Sequence, residues 1–400
     1  MVYSEVQPDA AVAELHRTEW AKLLSTLIRQ LGDFELAEDA LQEAFAAAVS
    51  QWRLGGLPAS PRAWVLVTAR NKGIDAIRRR EKLRQLLDTE NPNPADEDVS
   101  DIPDDRLQLL CTCCHPALSV EAQVALTLRS MGGLSTPQIA RAFLVPETTM
   151  AQRLVRAKSK IRDAGIPYKV PDQADMPDRL DAILATLYLV FNQGYSDTSD
   201  ADLSAEAIRL VRQLIPLLEP ESTPEPIALL ALMLLQNSRR PARTDSVGDL
   251  IVLKDQKRSL WNLAEIEEAL PLVESSLSRQ VGPFAVQAAI AALHCRAASF
   301  EETDWEQIVT LYEVLEQVQP TPIVTLNRAA AMSMVHGPEP ALKLLDGLEL
   351  DEYPLYHSAR GELLAQTGEQ EAARAAYQRA LDLTVNLAER RFILTKLKDL

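Results

Sequence analysis

Apolar residues recur along this chain at intervals of three and four and almost never alternate, the pattern of helices rather than strands. Over residues 11–31, Leu15, Leu23, Leu24, Leu27, Ile28 and Leu31 form one stripe, which predicts an amphipathic helix. Gly32 follows, and Asp33 is placed to cap a second helix over residues 34–52. The run LGGLPASP breaks the chain, and a third helix is predicted from Pro61, where proline suits the first turn. Periodicity is then lost in an acidic, proline-rich stretch ending at Asp105, which predicts a linker over residues 88–105.

A second helical module is predicted over residues 106–168. Its most informative stretch is LSTPQIARAFLVPETTMAQRLVRAKSKIR, residues 134–162: a helix, a tight turn and a strongly basic helix. Thr136 is the expected cap of the first helix, whose Ile139, Ala140 and Phe143 face inward, and Leu144, Val145 and Pro146 make the turn. Leu154, Val155 and Ile161 are expected to hold the second helix to its core. Thr148, Thr149, Gln152, Arg153, Arg156 and Lys158 then point outward, at spacings suited to base edges and phosphates. The pattern is that of a helix-turn-helix, whose second helix enters the major groove of DNA.

The rear of the chain divides into a mostly helical section, 175–282, and a section of helical hairpins, 283–400. In the latter Ala330 and Gly337 recur 31 residues later as Gly361 and Gly368. The second copy carries small Gly361, Leu364, turn Gly368, small Ala373, aromatic Tyr377 and small Ala380, close to a tetratricopeptide pattern. The first copy is looser, and preceding helices are expected to complete the stack.

Composition agrees with an all-α chain: 47% apolar residues, only 5% aromatic. No run of 18 apolar residues suggests a membrane span, no signal peptide is expected, and a cytoplasmic location follows as the default. The formal charge of −16 argues against nucleic acid until its distribution is read. Residues 1–169 hold 21 Lys and Arg against 22 Asp and Glu, and residues 170–400 hold 20 against 35. Residues 51–84 alone hold nine bases and two acids, a local phosphate-binding footprint.

Two helices of the first module narrow the function. LAEDALQEAFAAAVSQW and AWVLVTARNKGIDAIRRR, followed by the helix-turn-helix with its TTMAQRLVRAK helix, resemble the extracytoplasmic-function (ECF) class of bacterial RNA polymerase sigma factors. The resemblance runs over residues 10–165 in the family's order. It implies an all-α chain: a region 2 helical bundle (10–87), the linker (88–105), a region 4 helix-turn-helix bundle (106–168), and a helical extension (175–282 and 283–400). It further implies that Asp39, Gln42, Glu43 and Phe45 dock on the β′ clamp helices of core RNA polymerase, with region 4 at the β flap. Trp64, Arg70, Asn71, Asp75, Arg78 and Arg79 then serve the minus-10 promoter element, and the loop at residues 53–60 holds its flipped base. Thr136, Thr148, Thr149, Gln152, Arg153, Arg156 and Lys158 serve the minus-35 element. The acidic linker is either a mimic of nucleic acid in a basic polymerase channel or a spacer. With TCCHPAL and the long rear section, the chain resembles the subgroup bearing a fused tetratricopeptide-like extension, which implies regulation through intramolecular contacts with the sigma modules. The alternative is a helix-turn-helix transcription regulator with a ligand-sensing helical domain, which leaves the two upstream helices without a role.

The remaining chemistry is sparse. In CTCCHP, the stripe Leu107, Leu110, Cys111, Cys114 and Leu118 reads as a buried face, ahead of redox sensing or a metal. Arg239, Arg240, Arg243, Asp255 and Arg258 form either a regulatory pocket or an internal ionic network beside Trp261. No nucleophile–base pair, P-loop or metal-ligand set is apparent, and His294, His336 and His357 are scattered. Neither catalysis nor a cofactor is expected.

Overall fold

The computed structural model describes residues 8–85, 104–143, 145–172, 174–196, 203–245, 247–278, 281–384 and 386–400. The linker lies outside these residues apart from Asp104 and Asp105, as does Leu144 of the predicted turn. The described residues are helical, with one isolated bridge between Thr244 and Leu250 and no strand. They form two compact units, 1–217 and 218–400.

The first unit opens with α1 (Pro8–Leu31), α2 (Phe34–Gly55) and α3 (Pro61–Gln85), which pack as a three-helix bundle. Its core is Leu23, Leu24 and Leu27 from α1, Leu41, Ala44 and Ala48 from α2, and Val65, Leu66 and Ala69 from α3. The expected cap is present: the Asp33 carboxylate accepts from Leu36 N–H at 2.9 Å. Gly73 lets α3 approach α1, because a Cβ there would meet Leu31 at 2.5 Å.

Next come α4 (Arg106–Cys113), α5 (Val120–Ser130), α6 (Thr136–Ala142) and α7 (Glu147–Asp163). Cys111, Cys113 and Cys114 are buried, so the core reading of CTCCHP holds and extends to the third thiol. Burial pushes the Cys111 thiol up to about 12, which leaves it protonated and inert at neutral pH. Two local expectations are corrected. The cap of α6 is Ser135, not Thr136, within a capping box closed by Gln138. Val155 is 55% exposed, and Met150, Leu154, Ala157 and Ile161, at spacings of four, three and four, anchor α7.

The predicted middle section is divided between the two units. Its first helices, α8 (Met176–Ser196) and α9 (Leu203–Leu214), belong to the first unit, where α8 packs on α4 and α5. Arg179 of α8 donates to the Cys111 carbonyl at 3.0 Å, and Thr186 to the Gln123 side chain at 3.2 Å.

The second unit begins with α10 (Pro224–Ser238), in which every residue from Ala228 to Leu235 is buried. Such a helix must be surrounded, and α11 (Leu263–Leu277) and α12 (Pro283–Arg296) pack against it. The chain continues as α13 (Trp305–Val318), α14 (Pro322–His336), α15 (Pro338–Leu345), α16 (Pro354–Gln366), α17 (Gln370–Leu383) and α18 (Leu387–Asp399). Consecutive helices pair as hairpins, joined by apolar clusters that run across α12, α13 and α14, across α14, α15 and α16, and across α17 and α18. The repeat signal has a direct cause: a Cβ on Gly361 of α16 would lie 3.0 Å from the Tyr377 ring of α17. The tetratricopeptide-like pairing of a small residue with an aromatic is therefore realised.

Candidate nucleic-acid interface

The core stripe of α7 fixes what the helix shows to solvent. Thr148, Thr149, Gln152 and Arg156 are exposed, Arg153 is half-buried, and Lys160 and Arg162 extend the basic face. Thr136, on α6, is half-buried. These residues line one side of a helix-turn-helix, as base and phosphate contacts require. Lys158 and Arg162 differ: the Lys158 ammonium is ion-paired with the Glu38 carboxylate of α2, and the Arg162 guanidinium with that of Glu35 at 3.4 Å.

On α3, Asn71, Asp75, Arg78 and Arg79 are exposed, and Arg79 donates to the Asp75 carbonyl at 3.2 Å. Arg70 is half-buried and engaged in an interaction of its own. Trp64 is half-buried, edge-on to Trp52 with ring centroids 5.5 Å apart. The last turn of α2 and the loop after it carry a feature that periodicity did not single out: Leu54 is 91% exposed, with Leu57 also exposed.

The acidic helix α2 presents Asp39, Gln42 and Glu43 to solvent, with Glu43 paired to Lys72 of α3 at 2.9 Å. Partial burial raises the Asp39 carboxyl above its usual range, against the pull of Lys158. Phe45 points the other way, buried with its ring 5.1 Å from His16 and 5.9 Å from Trp20. It holds α2 to α1.

Glu38 is the residue that motif reading passed over. It is 1% exposed. Arg129 of α5 approaches it at 2.5 Å, Lys158 of α7 pairs with its other oxygen, and Gln42 donates at 2.9 Å. Arg129 also donates to the Leu134 carbonyl at 2.8 Å, at the entry to α6. One carboxylate thus ties the acidic helix to α5, which precedes the helix-turn-helix, and to α7, its second helix. The signal was present: Glu38 falls on the apolar stripe Phe34, Ala37, Leu41, Phe45 and Ala48, and a carboxylate there needs cationic partners.

The five rear residues do not converge on one pocket. Arg258 donates to the carbonyls of His294 (2.6 Å) and Ala297 (2.9 Å), closing the C-terminal end of α12. Its guanidinium lies 4.4 Å from the Trp261 ring, and that of Arg239 lies 5.7 Å away. Arg240 and Arg243 are half-buried with interactions of their own, and Asp255 is exposed. Arg239 and Arg258 therefore belong to the internal network, one of the two roles considered for the group.

The chain matches models of four families. Residues 15–83 match sigma-70 region 2, and residues 110–161 match sigma-70 region 4. Residues 179–277 match a family of unknown function, DUF6596, and residues 279–400 match a tetratricopeptide repeat-like domain. A protein of Rhizobium meliloti (strain 1021), described as "Uncharacterized protein R00370", is 45% identical over 394 residues, spanning 94% of this chain and 93% of that one. No solved structure matches.

Proposed function

Given that this chain belongs to the sigma-70 family, with regions 2 and 4 followed by a tetratricopeptide-like extension, we propose that it is an ECF-class initiation factor. It delivers core RNA polymerase to promoters and opens their minus-10 segment. The observation that carries this reading is one compact unit bearing surfaces of opposite charge. On α2 the acidic strip Asp39, Gln42 and Glu43 faces solvent, while α3 and α7 expose Asn71, Arg78, Arg79, Gln152 and Arg156. The first set suits a basic docking surface on polymerase, and the second suits DNA.

The chemistry assigned to DNA opening is binding, not catalysis. Extracting a base from the stack costs a few kcal/mol, which protein contacts to the freed base offset. Leu54, in the last turn of α2, and Leu57, in the loop before α3, are exposed within residues 53–60 and supply apolar surface for an unstacked base. The helix-turn-helix anchors the upstream element. The extension modulates these steps: residues 218–400 hold 17 Lys and Arg against 27 Asp and Glu, opposite in sign to the exposed faces of α3 and α7.

Run-off transcription with core polymerase, the full chain and fragmented genomic DNA tests the reading. Discrete transcripts are expected, and they disappear when Asp39 and Glu43 are replaced by Ala. Tight binding of duplex DNA by the chain alone, with no transcripts, would assign the protein to the operator-binding regulators instead. Comparison with a chain ended after Leu217, the limit of the first compact unit, reads the modulation by the extension. Identical transcript yields would remove that part of the proposal.

A further inference from the structure

The second unit holds a cavity of about 620 Å³ that no expectation from the sequence located. It is lined from α12, α13, α14, α16, α17 and α18 and from residues 252–254, between α10 and α11. Its size suits a small organic ligand.

Two features of the lining set the chemistry of an occupant. The first is aromatic enrichment. The chain has only twenty Phe, Trp and Tyr residues, and five of them, Phe300, Trp305, Tyr312, Tyr377 and Phe392, line this one cavity. Trp305 forms a corner, edge-on to Phe300 at 5.1 Å and to His294 at 5.2 Å. Such edges and faces receive a planar ring well.

The second feature is charge. Lys254 and Lys396 line the cavity, and Glu362 is the single acid among its described lining residues. Glu362 is occupied: one oxygen accepts from Lys396 at 2.7 Å and from Tyr377 at 2.9 Å, the other from Gln366 at 3.2 Å. The cavity thus carries a formal excess of one positive charge inside a unit that is otherwise strongly acidic. His294, also in the lining, keeps a buried Nδ1 without a hydrogen-bond partner. Burial and the neighbouring Arg239 and Arg258 push its pKa down to about 4, so the imidazole is neutral at pH 7.

We infer that this cavity binds a small planar aromatic carboxylate, with the ring against Trp305, Tyr312 and Phe392 and the carboxylate toward Lys396 and Lys254. Aromatic walls select the ring, and the cationic excess selects an anion over its neutral or cationic analogues. The inference is independent of the promoter reading.

Titration of the full chain with 2-naphthoate, neutral 2-naphthamide and 2-naphthylmethylamine, which is a cation at neutral pH, by calorimetry and ligand-observed NMR, tests it. The naphthoate is expected to bind one per chain with Kd below about 1 mM. The amide binds roughly five- to tenfold more weakly, as befits a partly screened charge contact, and the amine gives no signal. Lys396→Met brings naphthoate to the level of the amide. Because that substitution also leaves Glu362 short of a donor, a second variant is included. Ala330→Trp, at an exposed lining position of α14, fills the cavity and abolishes binding while circular dichroism and melting stay unchanged. Equal affinity for amide and carboxylate, preference for the amine, wild-type binding by Ala330→Trp, or no binding below about 1 mM would each overturn the inference. So would an unstructured hexapeptide that displaces naphthoate at lower concentration, which would assign the cavity to peptides. Transcription by the same preparations reports separately on the sigma reading.

Discussion

Replacing Glu38 by Ala isolates the ionic centre that joins α2 to α5 and α7. In the native chain the carboxylate is 1% exposed, and the side chains of Arg129 and Lys158 are only 14% and 16% exposed. Truncation leaves two part-buried cations without their shared anion. Breaking a buried pair in this way costs about 3–5 kcal/mol, more than the net worth of the pair itself, because the remaining charges stay desolvated. A single melting temperature would mix the two compact units, so native-state hydrogen exchange resolved by helix is the suitable assay. Amides of α5 and α7 are expected to lose protection by this amount, while those of α10, α11 and α12 are unaffected. The triple variant Glu38→Leu, Arg129→Met, Lys158→Met should recover most of the loss, since an apolar replacement of the whole centre removes the stranded charges. A loss below about 1 kcal/mol in Glu38→Ala, or no recovery in the triple variant, would refute the argument that desolvated charge dominates here.

Other expectations follow from the same geometry. Arg156→Ala should weaken promoter duplex binding and reduce the salt slope by about one, whereas Lys158→Ala, whose charge is already engaged by Glu38, should change the slope less; filter binding between low and moderate salt compares them. Gly361→Val should destabilise the second unit by about 1–3 kcal/mol, because the new side chain meets the Tyr377 ring, and exchange of α16 and α17 amides measures it. His294 holds its pKa near 4, against 6.5 when unfolded. Between those values the unfolded chain binds a proton that the folded one refuses, so stability falls as pH drops from 6.5 towards 4, by at most about 1.4 kcal/mol per pH unit. It is unaffected above that window, and His294→Gln should flatten the acid limb of a denaturation series.

The helices and their order were legible because the apolar stripes are strong. Leu23, Leu24 and Leu27, or Leu154 and Ile161, fall where a 3.6-residue period puts them, and the structure buries them. The caps were less secure. Ser135 and Thr136 are adjacent capping residues, and only the reach of Gln138 back to Ser135 decides between them. Val155 misled because a branched apolar residue on a basic helix looks like core, while small Ala157 takes the buried position. The outward face of α7 could be read from spacing, whereas the residues of α3 came from the family resemblance. The Glu38 centre could not be assembled that way, since Arg129 lies 91 residues away and no local pattern pairs them. The cavity was hidden for the same reason: its rings come from separate hairpins, each of which looks ordinary alone.

The ends of α12 carry a practical consequence. Its N-terminal amides at Phe284 and Ala285 are satisfied by the Glu225 carboxylate, at 2.9 and 3.1 Å, and its C-terminal carbonyls by Arg258. Both clasps come from upstream of residue 279, where the match to the repeat-like family begins. A fragment cut there would expose the bare poles of its first helix together with the apolar flank that covers α10. The repeats are therefore not a detachable cassette. Any truncation, fusion or domain exchange should place its seam near residue 218, keeping α10 through α18 as one heritable piece.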